Sequence, residues 1–319
     1  DVARFGDYAS PQYGTIKSSE NYERRFIMTF PNETLPKGRK QKTTALYDRF
    51  VNQGAVMGDS FGLENVLWFA NNKEDAHEEP TIKRSRSHDY VSKEVINVRE
   101  NVGLIEVANF SKHEFKGPDA RKFLDHIMAG RLPKPGRISL SPMLSYRGKL
   151  CGDLTVACLD ENEFMVFGSG AAQEMHRRWF ESHIDKFNLS YSNRSDEYHG
   201  LSIAGPNSRK VLEKIVRDDV SNEKFKFRDS RRMFVGGVPA IINRISFTGE
   251  LGYEIYVAPH YQLKLYEELM EAGKEFNIKP FGGRALMSMR LEKNWGAWTL
   301  DYRPDFTAKE TGLDAFINW

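Results

Sequence analysis

Acids, arginines and aromatics are the residue types through which this chain could act on a ligand. Asp153 lies in the strand-like run LCGDLTVACLD, among apolar residues. A carboxylate there is costly unless it is exposed, paired or used. An acid at a sheet edge facing water would meet that condition as well as a functional one. Glu250 and Glu254 fall in SFTGELGYE, and Arg284 and Arg290 in the later stretch RALMSMRLEKNW. A strand carboxylate such as Glu254 can accept two parallel hydrogen bonds from a fused heterocycle with an amino group beside a ring N–H, as a pterin has; pairing with an arginine is its competing use. An arginine on a helix can fork onto a ligand carboxylate, though helical arginines more often pair with acids, and Glu292 is near Arg290.

Other chemistries are poorly supplied. Gly168-Ser169-Gly170-Ala171-Ala172-Gln173 lacks the third glycine of a dinucleotide-binding turn and the acid about 20 residues beyond it. The eight histidines show no HxH or HxxxH spacing, so no metal site is expected. His176 and His183, on one helix, read as solvent-facing. Cys151 and Cys158 would point to opposite faces of one strand, which argues against a disulfide between them and for reducing surroundings, the cytoplasm or, in a eukaryote, the mitochondrial matrix.

With 46 basic and 44 acidic residues the formal charge is +2, and no global field favours nucleic acid. No apolar run approaches the roughly 18 residues of a membrane span. The 319 residues suffice for a sizeable core.

These candidates need elements to hold them. The run 147–170 predicts a β-hairpin turning at Asp160-Glu161-Asn162, with Asp153 on its first strand. FKGPDARKFLDHI at 115–127 and IAGPNSRKVLEKI at 203–215 match in register at a spacing of 88, each a strand end, a Gly-Pro turn and an amphipathic helix. Such a repeat predicts two related α+β subdomains. Strands are expected at 104–107, 238–247 and 252–257, the last two joined by a tight turn at Gly249 to Gly252. Helices are expected from about 45 to Gly54, from an N-cap at Ser87 to a stop at Gly103, from Ala171 to about Ile184, and at 261–276 and 283–294. Residues 1–42, with the basic run Lys37–Lys42 as a solvated loop, read as a connector without long periodicity. The stretch up to Phe69 reads as irregular, 71–88 as an exposed loop, and 299–319 as loop.

GLIEVANFSKHEFKGPDA, GRISLSPMLSYRGKLCGDLTVA, GLSIAGPNSRKVL, RISFTGELGYEIYV and MRLEKNWGAW, in this order, resemble the tetrahydrofolate-binding, aminomethyltransferase-like half of the dimethylglycine and sarcosine dehydrogenases. The related T-protein of the glycine cleavage system shares the outline, but the opening FGDYASPQYGTIKSSENYERRF is more similar to the dehydrogenase branch. The resemblance spans nearly the whole chain.

It implies an α+β fold of ferredoxin-like and related subdomains around a central folate cleft. Residues 43–319 would form that domain, lacking a C-terminal barrel, and 1–42 would connect it to a flavin domain carrying FAD. Asp153 matches the family's acid beside the reactive pterin nitrogens, Glu254 its pterin-gripping acid, and Arg284 an arginine near the folate in the T-protein. Phe110, Leu140 and Phe167 match positions lining the cleft, with Phe110 in place of a T-protein methionine. The implied activity is transfer of the one-carbon unit released from an N-methyl amine to tetrahydrofolate, giving 5,10-methylene-tetrahydrofolate. A flavin-independent folate-dependent demethylase and a non-catalytic folate-binding or packing module are the alternatives.

Overall fold

The structure, a computed structural model, describes residues 10–31 and 33–319. The expected connector holds a helix, α1 (Pro11–Glu23), started by Ser10, whose hydroxyl accepts from the backbone N–H of Tyr13, and by Pro11 at its first position. Its weak apolar stripe is why periodicity missed it. The opening residues 1–9 of that stretch lie outside the described residues. The basic run is largely engaged: Arg39 forks onto Glu64, Lys37 meets Glu23, and Lys42 pairs with Asp196 at 2.7 Å.

After the short helix α2 (Tyr47–Asn52) comes a hairpin, β1 (Ala55–Ser60) and β2 (Leu63–Phe69), where an irregular segment was expected. The two-residue turn places Phe61 at φ 54° and Gly62 at φ 92°. Both residues have positive φ, a hairpin turn usually signalled by Asn-Gly or Asp-Gly, and Phe-Gly carries no such signal. Helix α3 (Ser87–Glu100) follows; Arg86, not Ser87, is its N-cap, and Gly103 lies inside the next strand instead of ending the helix.

Two sheets dominate. The first strands are β3 (Val102–Glu106) and β4 (Phe110–Lys116), then helix α4 (Ala120–Ile127). A meander follows, β5 (Arg137–Leu144), β6 (Leu150–Asp160) and β7 (Glu163–Ser169), then α5 (Gln173–Glu181), preceded by a single turn at Gly170–Ala172 and shorter than expected. Next are β8 (Ser190–Asn193), β9 (His199–Ala204), α6 (Ser208–Ile215), β10 (Ser230–Val235), β11 (Val238–Asn243) and β12 (Gly252–Val257). Helix α7 (Gln262–Gly273), β13 (Ile278–Pro280) and α8 (Gly283–Glu292) lead to the C-terminal segment, which adds one turn at Leu313–Phe316. The strand expected to reach 247 stops at Asn243. Residues 244–251 form a loop in which Ser246 and Thr248 hydroxyls accept from the backbone N–H groups of Thr248 and Glu250.

A five-stranded sheet has the order β5-β6-β7-β4-β8 and a six-stranded sheet the order β10-β11-β12-β9-β3-β13. The architecture is α+β, as expected from the repeat. One Gly-Pro unit belongs to each sheet: β4 and α4 turn at Gly117 (φ 137°), β9 and α6 at Gly205 (φ 130°). A Cβ at Gly205 would lie 2.5 Å from two backbone carbonyl oxygens, so the turn requires glycine.

The sheets pack face to face. Ile138, Ala157, Met165 and Phe167 of one meet Ile105, Ala204, Ile241 and Tyr256 of the other in one core. The rings of Phe167 and Tyr256 stack across the boundary with centroids 4.6 Å apart. The backbone N–H of Ile138 donates to the Arg228 carbonyl and that of Ser230 to the Gly136 carbonyl, stitching the sheets at one end. Trp298, Ala308 and Leu313 of the C-terminal segment cover Leu140 and Leu150 at the other.

Candidate functional site

Residues directly opposite in a β-ladder share a face. Asp153 pairs with Pro142, Thr155 with Leu140 and Phe167, and Phe110 with Ser169; Phe110, Phe167, Thr155, Leu140 and Asp153 therefore lie on one face of the five-stranded sheet. That face is the one turned toward the six-stranded sheet. Four of the residues singled out in the sequence are thus brought together by register. Glu254 comes from the opposing sheet, where it pairs with Asn243 and Ser202 and shares a face with Tyr256 two residues on.

Asp153 is not an edge acid, because β6 runs between β5 and β7. Its carboxyl is half-buried, and burial pushes its pKa up to about 7, opposed only by its own backbone N–H. No side-chain donor reaches it among the described residues. Leu140 and Tyr302, in the cluster that packs against the C-terminal segment, wall its end of the sheet, and Tyr302 feels its charge. On the opposite face of β6 and β7, Gly152 and Gly168 make room for His176, whose Nε2 lies 3.1 Å from the Cys151 carbonyl oxygen. His176 is only 1% exposed, against the solvent-facing reading, since its helix docks beneath the strands; burial holds its pKa down to about 4.

Glu254 is 8% exposed and accepts a hydrogen bond of 2.8 Å from the Tyr256 hydroxyl to Oε2. Burial raises its pKa to about 7, against the Tyr256 hydrogen bond and the positive charge of Lys112. Beside it, the Nδ2 group of the fully buried Asn243 donates to nothing among the described residues, while its Oδ1 accepts from Ser230. Unpaired buried donors are rare in folded proteins and mark places where a ligand or water completes the bonding.

Arg284 is placed differently. Its Nη2 pairs with Glu78 at 2.9 Å and its Nη1 donates to the Ser87 hydroxyl at 2.6 Å, so the guanidinium is held by the loop before α3 and by α3 itself. Arg290 is buried and bonded to Asp301 and the Trp295 carbonyl, while Glu292 pairs with Arg99, so the expected helical pair is not formed. Glu250 lies in the loop before β12. Cys151 and Cys158 are both free thiols, and no cluster of three metal-ligating side chains exists among the described residues.

Residues 46–319 match the model of the family described as GCVT N-terminal domain. The chain belongs to the GCVT family. Residues 1–44 match a second description, FAD dependent oxidoreductase central domain. Among relatives of this GCVT chain, human mitochondrial dimethylglycine dehydrogenase is 34% identical over 99% of the chain and 37% of its own length. Human mitochondrial sarcosine dehydrogenase is 27% identical over 98% of the chain and 39% of its own length. An aminomethyltransferase of Desulfitobacterium hafniense is 27% identical over 86% of the chain and 70% of its own. The chain thus spans well under half the length of the dehydrogenases it resembles. The fold is that of the glycine cleavage system aminomethyltransferase T of Bartonella henselae, matched with a TM-score of 0.73 at 22% identity over 87% of the chain and 70% of that protein. No helix among the described residues is long and apolar enough to cross a membrane.

Three residues of the candidate site escaped sequence reasoning: Tyr256, Asn243 and Lys112. Tyr256 could have been found from its period-two spacing to Glu254. Asn243 carried no such cue, and Lys112, a lysine within a strand-forming run, was a cue passed over.

Proposed function

We propose that this domain binds tetrahydrofolate between the two sheets and receives on it the one-carbon unit released by oxidative demethylation of an N-methyl amine, forming 5,10-methylene-tetrahydrofolate. The observation that carries the proposal is a pair of carboxyls on facing sheets, Glu254 and Asp153, neither of them in direct contact with an arginine or lysine among the described residues, each raised to a pKa of about 7. A buried acid without a cationic partner is destabilising unless a ligand uses it.

The donor set suits a pterin. Glu254 offers acceptor oxygens to an amino group and adjacent ring N–H, with Tyr256 fixing one oxygen in place. Asn243 Nδ2 supplies a donor in need of an acceptor. Phe110 and Phe167 give the apolar walls that a flat heterocycle requires. Tetrahydrofolate, when bound, supplies the nitrogen nucleophile for the one-carbon unit. Asp153 contributes a negative charge in a poorly hydrated setting, aimed where positive charge develops during transfer, with Leu140 and Tyr302 limiting water. Arg284, engaged by Glu78 and Ser87, enters the reading through the position of α8 more than as a direct ligand.

The partner expected for this role is a flavin-dependent oxidoreductase half carrying FAD, in the same longer protein; the match of residues 1–44 supports it. Calorimetric titration of the chain with tetrahydrofolate tests the first half of the proposal, and methylene-tetrahydrofolate formation with the chain joined to its flavin-dependent half tests the second. Absence of binding refutes the whole. Binding without product, with the amine still oxidised, reduces the domain to a folate-binding module.

A further inference from the structure

Lys112 has a role that neither packing nor the proposed folate contacts account for. It lies on β4 two residues after Phe110, on the face toward the six-stranded sheet, and is 0% exposed. Its Nζ donates to the carbonyls of Phe110 at 2.8 Å, Ala108 at 2.9 Å and Ser195 at 3.4 Å. It also stands 5.9 Å from the centroid of the Tyr256 ring. Three carbonyl acceptors around one nitrogen call for the ammonium, which has three donors, and not for the neutral amine, which has two. Burial without a carboxylate in contact pulls its pKa down to about 7, against the charges of Asp196, Glu106 and Glu254, so the ammonium is fully present only on the acid side of neutrality, at a cost an apolar side chain would avoid.

The charge must therefore act at a distance, and the surrounding acids show where. Facing Lys112 are Glu106 from β3, Glu254 and Tyr256 from β12, Asp196 from the turn after β8, and His199 from β9. On its own strand, His113 points to the other face and Glu114 pairs with Lys116. Asp196 already has Lys42. Glu106 is held by the Gln262 amide, whose oxygen in turn lies 3.2 Å from His199 Nδ1, and by Thr44. Among the described residues, Glu254 has only the Tyr256 hydroxyl.

We propose that Lys112 is a positioning residue of the folate site: its buried ammonium ties the Ala108–Phe110 backbone to the Ser195 loop and supplies the counter-charge that keeps Glu254 ionised as a hydrogen-bond acceptor. The inference rests on the proposed pterin contact of Glu254. Without Lys112 the carboxyl of Glu254 rises further, because the lysine's positive charge is one of the two influences holding it down.

The test is the affinity of the chain for tetrahydrofolate between pH 6 and pH 9, measured by calorimetry for wild type, Lys112→Met, Glu254→Gln and the double variant. A rise of about one unit in the pKa of Glu254 makes Lys112→Met bind about fivefold more weakly at pH 7, approaching tenfold at pH 6, with little change at pH 9. Glu254→Gln binds weakly with no such pH dependence, and adding Lys112→Met to it changes nothing further. Equal weakening of Lys112→Met at every pH, or additive losses in the double variant, overturns the proposal. Wild-type affinity in Glu254→Gln removes the underlying pterin contact instead. If Lys112→Met does not fold, NMR titration of the lysine nitrogen and the glutamate carboxyl carbon in the unaltered protein decides: Glu254 ionising while Lys112 is still an ammonium supports the proposal, and Lys112 becoming a neutral amine before Glu254 ionises overturns it.

Discussion

Replacing Asp153 by asparagine separates stability from function. The side chain keeps its shape and loses its charge. In the folded protein the carboxyl has a pKa of about 7 because burial disfavours the charged form. In the unfolded chain it returns to the ordinary carboxylate range, near 3.9. For an acid whose folded pKa is raised, stability is fully present below the unfolded value and is lost as pH rises through the folded one. Asparagine has no such loss. A shift of about three units would correspond to roughly 4 kcal/mol, which the solvent reaching this half-buried group reduces to about 1–3 kcal/mol. Asp153→Asn should therefore match wild type in stability near pH 4 and exceed it by that amount at pH 8. Urea denaturation at the two pH values measures the difference. In the same protein, methylene-tetrahydrofolate formation should fall by about 10²–10³-fold, the scale for losing one aimed electrostatic group, while folate affinity stays within a small factor. Wild-type product formation should itself decline below pH 7 as Asp153 takes up a proton. A variant that is less stable at pH 8, or one that makes product at the wild-type rate, refutes the reasoning.

Glu254→Gln exchanges one acceptor for an amide donor facing the heterocycle and should weaken tetrahydrofolate binding by about 1–3 kcal/mol, with calorimetry showing wild-type affinity if the carboxylate is outside the site. Arg284→Met breaks the pairing with Glu78 and Ser87 and should lower the urea midpoint while leaving folate affinity nearly unchanged; a tenfold weaker complex at full stability would instead make Arg284 a direct ligand. Gly168→Ala places a Cβ 2.6 Å from Leu154 Cδ2 and 3.1 Å from both His176 Nδ1 and Ser111 Oγ, and should cost about 1–3 kcal/mol by overpacking, detectable as a lowered melting temperature.

Much of the frame could be read from residues alone. The β6–β7 hairpin is local: β-formers on both sides of Asp160-Glu161-Asn162 fix its register, and with it the face that Asp153 shares with Phe167 through their common neighbour Thr155. The two Gly-Pro units are legible for the same reason, since a glycine at positive φ followed by proline and an apolar helical stripe is short-range information. Where local cues were absent or misleading, the reading failed. Phe61-Gly62 makes a turn without the usual turn residues, and β10, SRRMFV, is an edge strand whose outward charges hide its alternation.

The candidate site divides along the same line. Order in the sequence determined which acids stand in strands and which residues share a face, because side chains alternate with period two whatever lies beyond the sheet. Only the tertiary structure decided that the face bearing Asp153 looks toward the sheet bearing Glu254, that the guanidinium of Arg284 is taken by Glu78 from a distant polar loop, and that Lys112 is buried among backbone carbonyls. Each of those depends on burial and charge brought together across long sequence separations. Local propensity carries no record of them.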